Sequence, residues 1–307
     1  MKVFPALVDQ TALNQIIQAD FSVPAGLQAQ DFLDGLMVNL GSVNSDLREG
    51  SLDVLWTWLA TGQFEDAQVK LVANQMHDNL LVGLGESQTD SVFLRAFSAL
   101  ILGVIVQLDR ERREQGKPSL VDEPQVHAWL ETALLLLISE KDLRGHTRDK
   151  GWAHCAAHTG DLLGEFASHP LIGRAELERI LAALQTRMLE PVESAFIHNE
   201  DERLAAVVMA VLQRELVLDA YLEEWLGRFL VYEGEIGWRK AFVQNSANNA
   251  RLNSKNFLRA VYFFLVFGYK NEPAYTGTPL DQWFKKQLLL ILRQIYPNNR
   301  YGDGLES

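Results

Sequence analysis

The chain has 307 residues, 28 Lys+Arg against 40 Asp+Glu, 48% hydrophobic residues and one cysteine. That length and apolar content suffice for a sizeable core and exclude disorder over most of the chain. A formal charge of −12 repels phosphate backbones at long range, so nucleic acid is not an expected partner unless a local basic patch works against the whole-molecule field.

The single Cys155 supports neither an internal disulfide nor a cysteine-based zinc site, which fits a reducing compartment, and the cytoplasm is the expected location. The opening MKVFPALVDQ has Pro5 and Asp9 where a signal peptide needs unbroken apolar residues. No uninterrupted apolar run approaches the ~18 residues of a spanning helix, so no membrane partner is expected.

From Ala25 to Lys117 there is no proline, and apolar residues recur at three and four, the helical period. Alternating strand patterns bounded by Asn-Gly or Asp-Gly turns do not appear, which predicts an all-α fold. One phrase then recurs along the chain: a polar start, an Arg, and apolar residues four, seven and eight positions later. It stands at Arg48 (SDLREGSLDVLW), Arg95 (TDSVFLRAFSALILG), Arg148 (GHTRDKGWAHCAAH), Arg203 (NEDERLAAVVMAVL) and Arg259 (NSKNFLRAVYFFLVF), with steps of 47, 53, 55 and 56 residues. Each phrase starts near a plausible N-cap and follows another amphipathic helix, so the repeating unit is a helix pair.

Helix pairs of this length resemble HEAT repeats and predict an α/α solenoid of about five pairs, one domain over 1–297 with a flexible tail at 298–307. In HEAT-like arrays an Asp in the turn and an Arg early in the second helix bond between repeats. Asp46 with Arg48, Asp90 with Arg95 and Asp201 with Arg203 fit that ladder. The Asn-, Gln- and Ser-rich run 234–253 is expected to be a long connection before the last pair.

The third repeat departs from the others. On a helix His154, His158, Asp161 and Glu165 share a stripe roughly 60° wide, with Trp152, Cys155, Ala156, Leu163 and Phe166 opposite. His154 stands six residues after the marker Arg, where the sister repeats carry Val54, Ile101, Met209 and Leu265. Asp161 stands where they carry Thr61, Leu108 and Leu216. Polar groups at core positions must be satisfied by each other, by a ligand or by a metal. Three readings therefore stay open: an inert network, a ligand or catalytic pocket, and a divalent metal held by His154, His158 and Asp161. The zincin motif is missing its Glu, so the spacing alone is a weak signal. Just upstream, SEKDLRGHTRDKGW is a charged segment in which Asp142 and Arg144 are candidate orienting or ligand-gripping groups.

The run KDLRGHTRDKGWAHCAAHTGDLLGEFASHP, together with SKNFLRAVYFFL, resembles the bacterial domain-of-unknown-function family 2785 over most of the chain. Gly151, Trp152, Ala153, His154, Ala157, His158, Asp161, Leu162 and Leu163 carry the resemblance. It implies no activity, and it marks this helix as the segment that identifies the family. The expectation is a binding module whose protein or small-molecule ligand engages the surface around His154, His158 and Asp161. Its rival is a metal-dependent hydrolase or general-base enzyme using the same residues.

Overall fold

The computed structural model describes residues 8–232, 235–236, 238–268 and 279–295; the expected tail at 298–307 lies outside them. Among these residues there are twelve α-helices and two hairpins with strands of two residues each, so the chain is all-α. It divides into two compact units, Met1–Ile172 and Gly173–Ser307.

The first unit contains α1 (Gln10–Gln18), α2 (Leu33–Asn39), α3 (Ser45–Ala60), α4 (Asp66–Asn79), α5 (Ser91–Glu114), α6 (Glu123–Ser139), the hairpin β1 (His146–Thr147) and β2 (Gly151–Trp152), and α7 (Cys155–Ser168). Local signals start the helices. The Asn44 side chain accepts from the backbone of Asp46 and Leu47 at the head of α3, and Asp122 accepts from Gln125 N at 2.9 Å at the head of α6, where Pro124 occupies the first turn.

Helix α5 is the hub, packed against α3, α4 and α7, while α6 packs on α7. By length and composition α5 could cross a membrane, yet 78% of its apolar window is buried inside the fold. Phe93, Ala96, Phe97, Ile101, Leu102 and Ile105 face neighbouring helices instead of lipid. At Gly103 α5 passes close to α7, where an added Cβ would reach Leu162 Cα at an ordinary contact distance of 3.6 Å.

The second unit contains α8 (Arg174–Leu189), α9 (Glu200–Gln213), α10 (Asp219–Arg228), β3 (Val231–Tyr232), β4 (Glu235–Ile236), a 3-10 turn Arg239–Phe242, α11 (Asn245–Phe267) and α12 (Pro279–Ile295). Its hub is α11, in contact with α8, α9, α12 and the 3-10 turn. The expected long connection at 234–253 is thereby corrected: it is a hairpin, a turn and the first two and a half turns of a long helix. Its polar residues bond backbone that a loop had left open. Asn249 Nδ2 donates to Val192 O and Glu193 O at 3.0 and 2.9 Å, Asn253 Oδ1 accepts from Phe196 N at 2.8 Å, and Ser254 Oγ donates to Met188 O at 3.0 Å.

Two of the expected Asp–Arg pairs, Asp46 with Arg48 and Asp90 with Arg95, are not formed. Arg48 bonds backbone carbonyls, Arg95 pairs with Glu140, and Asp90 pairs with Lys150 at 2.6 Å. Arg148 lies exposed in the β1–β2 turn, and α7 starts seven residues after it.

A buried carboxylate closes the end of α5. Asp109, fully buried, accepts from Arg113 Nε at 2.6 Å, from His169 Nε2 at 3.2 Å and from the backbone of Leu120 and Val121. Burial works against its charge, but the bonds from His169, Arg113, Val121 and Leu120 win and hold its pKa at about 2. Because that lies below the unfolded value of about 3.9, the stabilisation is complete above pH ~4 and disappears as pH falls through 2. We predict that about 2 kcal/mol of folding stability is lost across this window in the native protein, and that Asp109→Asn lowers stability at neutral pH while flattening the acid limb. Urea unfolding followed by circular dichroism at pH 7, 4 and 2 measures both.

Candidate functional site

The site is built where the hairpin runs into α7. Residues 141–145 have no regular secondary structure and are held by a chain of polar contacts. Arg95, fully buried, donates to Glu140 through Nε at 2.7 Å and Nη2 at 3.0 Å, and through Nη1 to Val82 O and Ser91 Oγ. Burial penalises the Arg95 charge, but Glu140 outweighs it and keeps the guanidinium protonated more firmly than usual. Glu140 also accepts from Asp142 N at 2.8 Å. Asp142 in turn grips Arg144 at 2.8 and 2.6 Å, and Arg144 donates to Thr89 O at 2.6 Å. Asp142 and Arg144 thus brace the segment beneath the hairpin. Cys155 sits in the same interior, its thiol pushed well up by burial and by Glu140, a neutral and unreactive state.

The hairpin pairs His146 with Trp152 and Thr147 with Gly151. Its position is set by Arg48 from α3, fully buried, which donates to Lys150 O at 2.6 Å, Trp152 O at 3.1 Å and Ser42 O at 2.6 Å. The guanidinium lies over Phe93 and Phe97, 4.2 and 4.8 Å from the ring centroids. Burial pulls its pKa below the ordinary range, with Glu49 partly opposing at 3.9 Å. Gly151 has φ +71° and packs so closely on α3 that a Cβ would lie 2.8 Å from Ser45 Cβ.

His154 is not on the helix. It is the N-cap of α7 in the left-handed conformation, φ 54° and ψ 30°, with its own N–H on Arg144 O and its carbonyl accepting from His158 N at 3.0 Å. A non-glycine residue with this backbone is uncommon and costs free energy that the surroundings must supply. The turn brings Trp152 across to the histidines, which corrects the expectation that it faces the other way. The indole stacks on His154 at 4.8 Å and 28°, and His146 meets its edge at 4.9 Å. His154 meets His158 at 5.5 Å, and His158 meets Phe97 at 5.4 Å. His154 and His158 are 8% and 7% exposed, whereas Trp152 is 37% exposed and forms the open end of the row. His158 Nδ1 donates to Ala96 O at 3.2 Å, so in the neutral ring Nε2 is the basic nitrogen.

Asp161 and Glu165 follow on α7, both half-buried, and Glu165 pairs with Arg110 at 3.5 Å. The sister positions of Asp161 are not core, because Thr61 and Leu216 are exposed and Leu108 is half-buried. His154 is buried like Val54, Ile101, Met209 and Leu265 but precedes its helix where they lie within theirs, so the repeat alignment behind the comparison does not extend to this segment. Among the described residues no group of three or more His, Cys, Asp or Glu side chains is placed to hold a metal ion, so the expected His154, His158 and Asp161 set is not assembled as a metal site. Sequence reasoning missed His146 and Phe97, and it gave Arg48 a place in a repeat ladder instead of beneath the hairpin. A Gly immediately before Trp, after a charged run, was the available signal for the hairpin.

The fold and this row together define an all-helical protein with a buried imidazole pair capped by a half-exposed indole. The chain belongs to the family described as "Protein of unknown function (DUF2785)", whose model matches residues 80–263, from the end of α4 through most of α11. No curated protein and no solved structure matches it.

Because three carbonyls depend on one buried guanidinium, Arg48→Met is predicted to cost about 3 kcal/mol in urea unfolding, and Gly151→Ala about 1–3 kcal/mol. Arg148→Ala, in the exposed turn, should stay within about 0.5 kcal/mol, which separates the hairpin anchor from a repeating arginine ladder.

Proposed function

We propose that the protein is a binding module whose ligand engages the Trp152 face of the row, with His154 and His158 behind it and Asp161 on the same helix. One observation carries this reading: a non-glycine residue is held in a left-handed turn whose effect is to stack a half-exposed indole on a buried imidazole. Strain of this kind gathers at ligand sites, and an indole backed by a fixed ring offers a flat, preorganised face to a planar group. The packing of α3, α5 and α7 side by side, with α4 and α6 as partners of α5 and α7, supports HEAT-like stacking of helix pairs within the first unit. The pairing of α8 with α9 and of α9 with α11 supports the same reading within the second.

A second reading has its own observation. His158 is oriented by Ala96 O in the tautomer a general base needs, which supports a His-based hydrolytic role with Asp161 or Glu165 nearby.

Protein-observed NMR with phenyl-, indolyl- and imidazolyl-bearing fragments tests the binding role. Saturable shifts of the Trp152 indole and His158 ring signals are expected in the native protein and should vanish in Trp152→Ala. His154→Asn, which tolerates the left-handed turn, should keep the fold and weaken binding. Absence of any saturable shift across the fragments overturns the reading. Loss of ester or phosphoester hydrolysis in folded His158→Gln, with binding retained, decides for the enzyme.

A further inference from the structure

Helix α6 carries a hydroxyl in an uncommon setting. Thr61, Thr159 and Thr186 each donate to the carbonyl four residues back, the ordinary fate of a threonine hydroxyl in a helix or at its end. Thr132 lies 3.2 Å from the corresponding carbonyl of Ala128, but its oxygen is closer, at 2.8 Å, to Nε2 of His77 on α4. The other ring nitrogen of His77, Nδ1, lies 3.2 Å from Asp78 Oδ1. Earlier along both helices Gln125 Nε2 donates to Asn74 Oδ1 at 3.0 Å, so side chains bridge α4 and α6 twice and His77 is held against α6.

The positions of the protons follow from the partners. A carboxylate has no hydrogen to give, so Nδ1 carries the ring hydrogen and donates to Asp78. In the neutral ring Nε2 is then an acceptor, and the Thr132 hydroxyl donates to it. That hydroxyl has a single hydrogen, so the longer approach to Ala128 O is the lesser alternative. Carboxylate, imidazole and hydroxyl thus stand in the order in which a base is oriented and a nucleophile activated. Thr132 and His77 are half-buried and Asp78 is exposed, which leaves the group within reach of a small reagent.

We propose that Thr132, with His77 as its base and Asp78 as the positioning residue, accepts a short acyl group from a thioester or similarly activated ester and releases it to water. Thr132 Oγ bonds to the carbonyl carbon and passes its proton to His77 Nε2. The carbon–sulfur bond breaks, and the leaving thiolate takes that proton. Water then gives a proton to His77 and its oxygen to the acyl carbon, while Thr132 Oγ leaves and recovers the proton. The products are a thiol and a carboxylic acid. The donor has to be activated, because backbone amides within α4 and α6 are committed to helical bonds and do not form an oxyanion hole beside Thr132. Amides, with their poor leaving group, are not expected substrates. Leu135, exposed one turn beyond Thr132, offers the acyl chain an apolar contact.

The test uses the full chain and p-nitrophenyl acetate, with nitrophenol release followed by absorbance and the acetylated protein mapped by peptide mass spectrometry. A burst of nitrophenol with the acetyl group on Thr132 is expected, lost in Thr132→Val and slowed about a hundredfold or more in His77→Gln. Asp78→Ala should slow the burst and Asp78→Asn should restore part of it, because an amide oxygen still accepts from Nδ1. Circular dichroism melts of these variants should match the native protein, since the side chains are partly exposed. Thr61 and Thr186, which make the same backbone bond, are internal controls. Acetylation of either to the extent of Thr132, absence of the Thr132 adduct, or an undiminished burst in folded His77→Gln overturns the proposal. The mapped position of the acetyl group also separates this site from the His158 row, so either reading can fail without the other.

Discussion

The architecture around the candidate site depends on a single guanidinium. Arg48 is fully buried, its Nε has no hydrogen-bond partner, and its other donors go to backbone carbonyls and not to a buried carboxylate. An interior cation answered mainly by carbonyl dipoles and two phenyl faces is expensive, and it persists because it joins segments a hundred residues apart. It fixes the carbonyls of Lys150 and Trp152, so the hairpin has one position. It lies on Phe97, whose ring meets His158. The hairpin position decides where Trp152 lies, and the left-handed turn at His154 follows from the need to enter α7 from there.

The other buried charges of the first unit obey the ordinary rule, because each is paired. Arg95 and Glu140 form a two-pronged pair, and Asp109 is surrounded by donors from α5, from residues 120–121 and from His169. Such pairs add little net stability against an apolar core, yet removing one partner is costly, so they act as positional locks. Arg95–Glu140 locks the segment entering the hairpin, and Asp109 locks the segments around the far end of α5. Both ends of the hub helix are therefore held by buried polar bonds, and its middle by close apolar packing.

In the second unit the hub is a helix with an unusual composition, polar at its start and aromatic at its end. Asn249, Asn253 and Ser254 replace the expected apolar contacts with bonds to the 188–196 backbone. One element thus supplies the unit's packing hub and its latch on a connecting segment.

Apolar spacing was enough to place α3 to α6 and α8 to α10, because a helix buries one face and the period of that face is local information. The recurring Arg phrase located α3, α5, α9 and α11 for the same reason. The Asn-rich start of α11 was read as a loop because propensity counts polar residues against a helix. Only the folded chain supplies the open carbonyls of residues 188–196 that those side chains satisfy. Likewise His154 and His158 were legible as a pair, while their setting was not. Whether residue 154 continues a helix or turns left-handed depends on Arg48, a residue of α3 about a hundred positions earlier. Sequence by itself determined the helical class and the family to which the chain belongs. Tertiary structure decided which side of that segment Trp152 lies on, since a hairpin only a few residues long has too little pairing of its own to set its direction and takes it from the helix it docks on.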